Sequence, residues 1–225
     1  MRILVSGSIG ALAPLGRPYG NLLGFLLGPR NNNRSAVLHS GLPFGVDNGA
    51  YSGFDPDAFR GLLTWLRNHV AHCLWVVCPD VVGDAAGTLA LFESWREEIA
   101  AAAVPRAFVG QDGAEDLEIP WQEFDCWFIG GTTRWKLSQA SVDLAREAKR
   151  QGKLVHCGRV NSMKRLRWAP RIDCDSCDGS SYSRFYHRRL QRLDRSLERH
   201  LRFLQAQEHV EKTQRLLFPM KGAEP

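Results

Sequence analysis

The sequence predicts an α/β protein, a single-domain (β/α)8 barrel of the TIM type. Short apolar runs alternate with longer stretches of 3.6-residue periodicity, which is typical of strands and helices around a parallel sheet. Several runs end in a polar residue next to glycine, as in VDNG, VGQDG and DSCDG. Parallel strands interleaved with helices bring such ends to one face, where barrels of this type build their active sites.

The strands and helices can be placed along the chain from these patterns. Seven strands are predicted, over Ile3–Ser6, Phe44–Asp47, Leu74–Asp80, Ala107–Gln111, Trp127–Gly131, Leu154–Gly158 and Asp173–Asp178. An eighth strand is expected within Ser35–Leu38, or the barrel is incomplete. The helices are expected over Asp57–His69, Ala85–Ala102, Ser138–Arg150, Ser162–Trp168 and from about Tyr186 to Gln207. No G-x-G-x-x-G loop or P-loop opens a helix, which argues against an open nucleotide-binding sheet.

Length and composition favour one compact domain. We expect a barrel over residues 1–207 and a polar C-terminal tail over 208–225, in a chain of 225 residues. The six cysteines lie largely in or beside apolar runs, as reduced thiols do. No apolar run approaches the ~20 residues that span a bilayer. These features predict a cytoplasmic protein without a membrane segment.

Positive charge is concentrated in the C-terminal third. The formal net charge is +5, yet 13 Lys/Arg stand against only 5 Asp/Glu between residues 151 and 205. The last predicted helix alternates leucines with arginines, so it is amphipathic with a basic face. Such faces are usually only solvated, but this one could also attract a nucleic-acid backbone. The residues with that expected role are Arg159, Lys164, Arg165, Arg188, Arg189 and Arg192.

Three aspartates stand at the ends of predicted strands, namely Asp47, Asp80 and Asp178. A carboxylate at a barrel mouth can act as nucleophile, proton shuttle or hydrogen-bond acceptor. A single strand-end aspartate more often caps the next turn or helix, which is the role expected of Asp84. Three of them together with Gln111 point instead to a shared site.

Five short motifs resemble those of the tRNA-guanine (queuine) transglycosylases. DNGAYSGF is similar to the Asp-Ser-Gly-Gly-Phe-Gln element, with Asp47 on its aspartate. In the same order, CPD, GQDG and FIGG are similar to the base-recognising aspartate, the Gln-Gly-Gly element and the Gly-Gly element. The stretch from HCGRVNS to DSCDG resembles the segment that leads into the nucleophile strand, with Asp178 on the nucleophile. The segments CPDVVGDA and FIGGTTRWKLS resemble most the DpdA-type DNA-guanine transglycosylases, which insert 7-deazaguanine bases into DNA.

The resemblance implies a role for each matched residue. Asp178 would attack C1′ of the nucleotide and Asp47 would move a proton, as in retaining glycoside hydrolysis. Asp80 would accept hydrogen bonds from the donor edge of guanine, and Tyr51 would stack on the base. The other implied base-binding residues are Gln111, Gly130, Gly131 and Cys157. The implied partners are DNA and a 7-deazaguanine co-substrate such as 7-cyano-7-deazaguanine, with no other cofactor.

The resemblance fails at the zinc site. The tRNA enzymes hold a structural zinc with cysteines that follow the nucleophile strand, whereas this chain has no cysteine after Cys177. Cys174 and Cys177 form a C-x-x-C, but a second ligand pair is not evident, and no metal is expected. Loss of a zinc subdomain would favour DNA over tRNA. The alternatives are a tRNA-guanine transglycosylase, a base-removing hydrolase, a non-catalytic nucleic-acid-binding barrel, or a barrel acting on a small metabolite.

Overall fold

The computed structural model describes residues 1–6, 19–30, 34–179 and 190–217 of the chain. Eight parallel strands form a closed barrel in which each strand pairs with the next along the chain and β8 pairs with β1. The strands are β1 (Arg2–Val5), β2 (Leu23–Leu27), β3 (Phe44–Val46), β4 (Cys73–Val77), β5 (Arg106–Gly110), β6 (Cys126–Ile129), β7 (Leu154–Cys157) and β8 (Ser176–Asp178). The protein is therefore a TIM-type barrel, as the sequence predicts.

Helices pack around the outside of the barrel. They are α1 (Arg34–Ser40), α2 (Pro56–Leu66), α3 (Ala85–Ala100), α4 (Thr133–Lys136), α5 (Gln139–Arg150), α6 (Met163–Trp168) and α7 (Leu190–Leu217). Side-chain caps fix where several of them begin, because each accepts a hydrogen bond from an otherwise unpaired N–H. Asp84 caps α3 by accepting from the Gly87 N–H, which confirms its predicted role. None of these helices combines the length and the apolar character needed to cross a bilayer.

The eighth strand is not where the sequence prediction placed it. Residues 35–38 belong to helix α1, and the missing strand is β2, which closes the barrel between β1 and β3. Gly24 interrupts the apolar run of β2, so the run was not predicted to be a strand. A Cβ at that position would lie 2.6 Å from the Pro43 carbonyl oxygen and 2.7 Å from Leu4 Cδ2, so close packing requires glycine inside this strand.

Two apolar clusters stabilise the barrel from inside and outside. Inside lie buried side chains from alternating strand positions, namely Leu4, Leu26, Trp75, Val77, Ala107, Val109 and Cys126. The larger outer cluster fills the space between strands and helices and includes Trp127 on β6. Glycines on neighbouring strands make room for the two large indoles. Gly45 faces Trp75, and Gly110 faces Trp127.

Substitution of Gly110 is expected to destabilise the barrel. A Cβ there would lie 2.2 Å from Cζ2 of Trp127, which is fully buried and has no room to move. Gly110→Ala should therefore lower the free energy of unfolding by about 1–3 kcal/mol, measured by urea denaturation. Gly61→Ala is the matched control. Gly61 is exposed in α2 with no atom within 4 Å of a built Cβ, so alanine should stabilise that helix slightly. Equal stabilities of the two variants would contradict this packing.

The C-terminal helix α7 is longer than the sequence predicts. It extends past Gln207 to Leu217, and Leu197, Leu201 and Leu204 are buried on one face of it. The basic face is only partly described. Arg188 and Arg189 lie outside the described residues. Arg192 lies within helix α7, where only its backbone is described. Their role toward a nucleic acid stays a prediction, as does the division of the chain into a barrel and a tail.

Candidate active site

The residues predicted to converge lie around two adjoining cavities at the C-terminal mouth of the barrel. The larger cavity has a volume of about 370 Å³ and extends over the end of β2 to Arg30. The smaller has a volume of about 80 Å³ and lies over the ends of β4, β5 and β6. Five residues line both cavities and form the boundary between them, namely Asp47, Asn48, Tyr51, Arg159 and Asp178.

Asp178 ends the last strand and is nearly buried, with 8% of its surface exposed. Its Oδ2 accepts a hydrogen bond from His156 Nε2 at 3.1 Å. The backbone N–H of Arg159 donates to both carboxylate oxygens, at 3.2 Å to Oδ1 and 3.3 Å to Oδ2. A carboxylate fixed in this way at the cavity boundary has the position that a nucleophile requires.

Asp47 follows β3 directly and faces the same boundary. The pKa of its carboxyl is raised to about 6, mainly by burial and to a smaller extent by the nearby charges of Asp178 and Asp80. The Gly49 N–H donates to Asp47 Oδ1 at 2.7 Å and opposes that rise. A carboxyl group with a pKa close to neutral pH can give up and take back a proton under working conditions.

Asp80 is held by two side-chain amides. Asn48 Nδ2 donates to its Oδ1 at 2.6 Å, and Gln111 Nε2 donates to its Oδ2 at 2.5 Å. Burial raises the pKa of Asp80, whereas these two hydrogen bonds and the charge of Arg159 lower it. A carboxylate has about four acceptor sites, so Asp80 keeps acceptor capacity for a ligand in the smaller cavity.

Gln111 and the glycine pair lie in the smaller cavity but are bonded to the protein itself. Gln111 Oε1 accepts from the Gly83 N–H at 2.9 Å and from the Gly131 N–H at 2.8 Å. The Gly130 N–H donates to the Gly110 carbonyl at 3.0 Å. A ligand carbonyl could use these donors only by displacing their present partners. Direct base contact by Gln111, Gly130 and Gly131 therefore stays a prediction, while the structure shows that Gln111 holds both Asp80 and the loop after β6.

Arg159 crosses the mouth of the site. Its backbone adopts a left-handed conformation with φ 59°, which lets its N–H reach Asp178 while its side chain extends over the cavity. The guanidinium lies 4.8 Å from the ring centroid of Tyr51 and donates to the Gly131 carbonyl. Tyr51 is 68% exposed, so its ring is available to a ligand at the entrance. Arg165 supports this arrangement by donating to the Arg159 carbonyl at 2.9 Å.

Cys157 does not line either cavity, contrary to its predicted contact with a base. Successive strand residues point to opposite sides of a sheet. On β7 this alternation directs Cys157 into the outer cluster, and the interior position belongs to His156. Lys164 is exposed on α6 and lines neither cavity. Among the described residues, no group of three or more His, Cys, Asp and Glu could hold a metal ion.

Comparison with known proteins does not place this chain in a family. No family model matches this sequence, and no curated protein matches it.

Three residues of the site were missed by sequence reasoning. Asn48 directly follows Asp47, and its buried amide also donates to the Cys78 carbonyl at 2.7 Å. His156 is fully buried in the barrel interior, and burial lowers its pKa. Lys136 is 2% exposed, lines the smaller cavity and donates to the Gly158 carbonyl. Burial also lowers the pKa of Lys136. The available signal for His156 was its place as the first residue of the HCGRVNS motif, whereas nothing in the sequence marked Lys136.

Proposed function

We propose that this protein exchanges guanine in DNA for a 7-deazaguanine base through a covalent intermediate on Asp178. The observation that carries the proposal is the pair of carboxyl groups at one cavity boundary. Asp178 is fixed by hydrogen bonds from His156 and Arg159, and Asp47 has a pKa of about 6. Retaining chemistry at C1′ uses two carboxyl groups in contrasting environments, one as the nucleophile and the other as the general acid and base.

The reaction would proceed in two displacements. Asp178 attacks C1′ of the nucleotide, the bond between C1′ and the guanine nitrogen breaks, and the departing base takes a proton from the Asp47 carboxyl group. The incoming 7-deazaguanine returns its ring proton to the Asp47 carboxylate. Its nitrogen then attacks C1′ and displaces Asp178 as a carboxylate. Each proton that leaves Asp47 is replaced, and two inversions retain the configuration.

The smaller cavity has the groups that a guanine-type base needs. Asp80 presents a carboxylate to accept from the N1–H and the 2-amino group, and Asn48 and Gln111 keep it oriented. The exposed ring of Tyr51 at the entrance would stack on a base that has left the helix. Phe128 and Val109 supply apolar walls.

Charge supports a nucleic-acid partner. Arg30 and Arg159 line the larger cavity, and Arg165 on α6 donates to the Arg159 carbonyl. Arginines around a pocket can neutralise phosphates on both sides of an extruded nucleotide. The choice of DNA over tRNA rests on the motifs CPDVVGDA and FIGGTTRWKLS, which resemble the DpdA-type DNA-guanine transglycosylases most.

The test offers DNA and tRNA side by side. Purified protein is incubated with each nucleic acid and radiolabelled guanine, which an exchange enzyme incorporates without net chemical change. The proposal predicts label in DNA and none in tRNA. Label only in tRNA would make the protein a tRNA-guanine transglycosylase, and label in neither would overturn base exchange altogether.

Lys136 is expected to select the incoming base. Its buried ammonium lines the smaller cavity, so a base with an acceptor substituent such as nitrile would gain a hydrogen bond there. A base with a cationic aminomethyl group would meet a like charge at Lys136, and a cost of about 3 kcal/mol predicts about 100-fold weaker use. Lys136→Gln should remove most of this discrimination, measured as the ratio of kcat/KM for the two bases. Lys212→Gln, at an exposed position of α7, is the control and should leave the ratio unchanged. An unchanged ratio in Lys136→Gln would contradict the assignment.

A further inference from the structure

A buried histidine connects Asp178 to a serine on the same strand. His156 Nε2 lies 3.1 Å from Asp178 Oδ2, and His156 Nδ1 lies 2.8 Å from Ser176 Oγ. All three side chains are buried, with 0%, 4% and 8% exposure for His156, Ser176 and Asp178. The proposed function uses the bond from His156 to Asp178 but gives no role to Ser176 and does not distinguish the two oxygens of Asp178.

The ring of His156 has no freedom to turn. Trp75 and Phe128 pack against it with ring centroids at 4.7 Å and 4.6 Å. A carboxylate can only accept, so the imidazole must carry its proton on Nε2 toward Asp178. Nδ1 must then accept from the Ser176 hydroxyl. Ser176 thereby selects the tautomer that donates to the nucleophile.

The environment keeps this imidazole neutral. Burial lowers its pKa, and the positive charge of Lys136 acts in the same direction, against the opposing charge of Asp178. A neutral donor suits a nucleophile better than a cation would, because a cation would stabilise the free carboxylate strongly and oppose its attack. The hydrogen bond from a neutral N–H survives when the carboxylate becomes an ester.

We propose that His156, oriented by Ser176, is a positioning residue that holds Asp178 Oδ2 and leaves Oδ1 to attack. This inference rests on the proposed function. Among the described residues, Oδ1 accepts only the Arg159 N–H, whereas Oδ2 accepts from both Arg159 and His156. In the covalent intermediate Oδ1 would bond to C1′. Oδ2 would become the ester carbonyl, still accepting from His156 Nε2, and the base would leave with the electron pair of the broken bond.

The experiment measures the rate at which the full chain forms a covalent adduct with saturating DNA in a single turnover. His156→Phe keeps a ring but removes the donor, and should slow adduct formation about 10- to 100-fold with DNA affinity unchanged. His156→Gln returns an N–H donor and should recover much of that rate. Ser176→Ala leaves the ring tautomer unselected and should give an intermediate loss.

The outcomes separate this inference from the proposed function. If the wild-type chain forms no adduct, base exchange itself is contradicted. A wild-type adduct with unchanged rates in His156→Phe and Ser176→Ala would overturn only the positioning role. Equal slowing in His156→Gln and His156→Phe would also overturn it, because the loss would then come from packing. If circular dichroism shows that His156→Phe does not fold, Ser176→Ala decides: a slowed rate supports the inference and a wild-type rate overturns it.

Discussion

Asp178→Asn is expected to abolish the covalent adduct with DNA and to reduce base exchange by about 10,000-fold or more, as loss of a nucleophile does. An amide oxygen attacks poorly, yet it can still accept the hydrogen bonds from His156 and Arg159 that Asp178 accepts. The barrel should therefore fold normally, and DNA affinity should change little. Adduct on denaturing gels and label incorporation measure the loss.

Asp143→Asn is the matched control for this substitution. Asp143 is an exposed aspartate on α5 whose described contacts are surface contacts with Gln139 and Arg146. It should leave both measurements at the wild-type level. Persistence of the adduct in Asp178→Asn would place the nucleophile elsewhere. A folded variant that lost DNA binding along with activity would indicate that Asp178 contributes to affinity instead.

Asp47→Asn is expected to lower activity and raise stability at once. Without a proton donor and acceptor at this position, exchange should slow by about 100- to 10,000-fold. The stability effect follows from the pKa of about 6, which lies above the ordinary value of 3.8. The folded state therefore binds this proton more tightly than the unfolded state does. The stability that the bound proton contributes is fully present below about pH 4 and is lost as the pH rises through 6.

Above pH 6 the wild-type fold thus carries a partly buried charge that asparagine removes. Because Asp47 is partly exposed at the cavity wall and solvent screens its charge, Asp47→Asn should increase the free energy of unfolding by about 1–3 kcal/mol at pH 8 and by little at pH 4. Asparagine keeps an oxygen for the Gly49 N–H, so the local turn should survive. Urea denaturation at the two pH values measures the difference. A variant less stable than wild type at pH 8 would contradict the origin of the pKa shift.

Much of the fold follows from local patterns, because each strand and helix carries its own periodicity and end signals. The strand β2 escaped detection since Gly24 interrupts its apolar run, and the need for glycine comes from contacts with Leu4 and Pro43. Such contacts belong to neighbouring strands and leave no mark in the strand's own sequence. The end of α7 was misplaced for a related reason, because residues beyond Gln207 lack the leucine spacing yet continue the helix.

The candidate site was predicted where chemistry coincides with strand ends. Asp47, Asp80, Asp178 and Gln111 follow or end their strands, so topology alone brings them to one mouth. The short sequence of β7 does not show which of its side chains face the barrel interior. A base contact was therefore predicted for Cys157, and none for His156. Lys136 could not be predicted because its burial depends on where the short helix α4 lies in the fold, which brings its ammonium to the Gly158 carbonyl after β7.

The stoichiometry of the reaction tests the central claim most directly. A DNA oligonucleotide is incubated with the protein and 7-cyano-7-deazaguanine, then digested to nucleosides, and released guanine and inserted base are quantified by mass spectrometry. Base exchange predicts one guanine released for each deazaguanine inserted, with both signals absent in Asp178→Asn. Guanine release without insertion would make the protein a hydrolase. DNA binding with neither product would make it a non-catalytic binding barrel and contradict the proposed function.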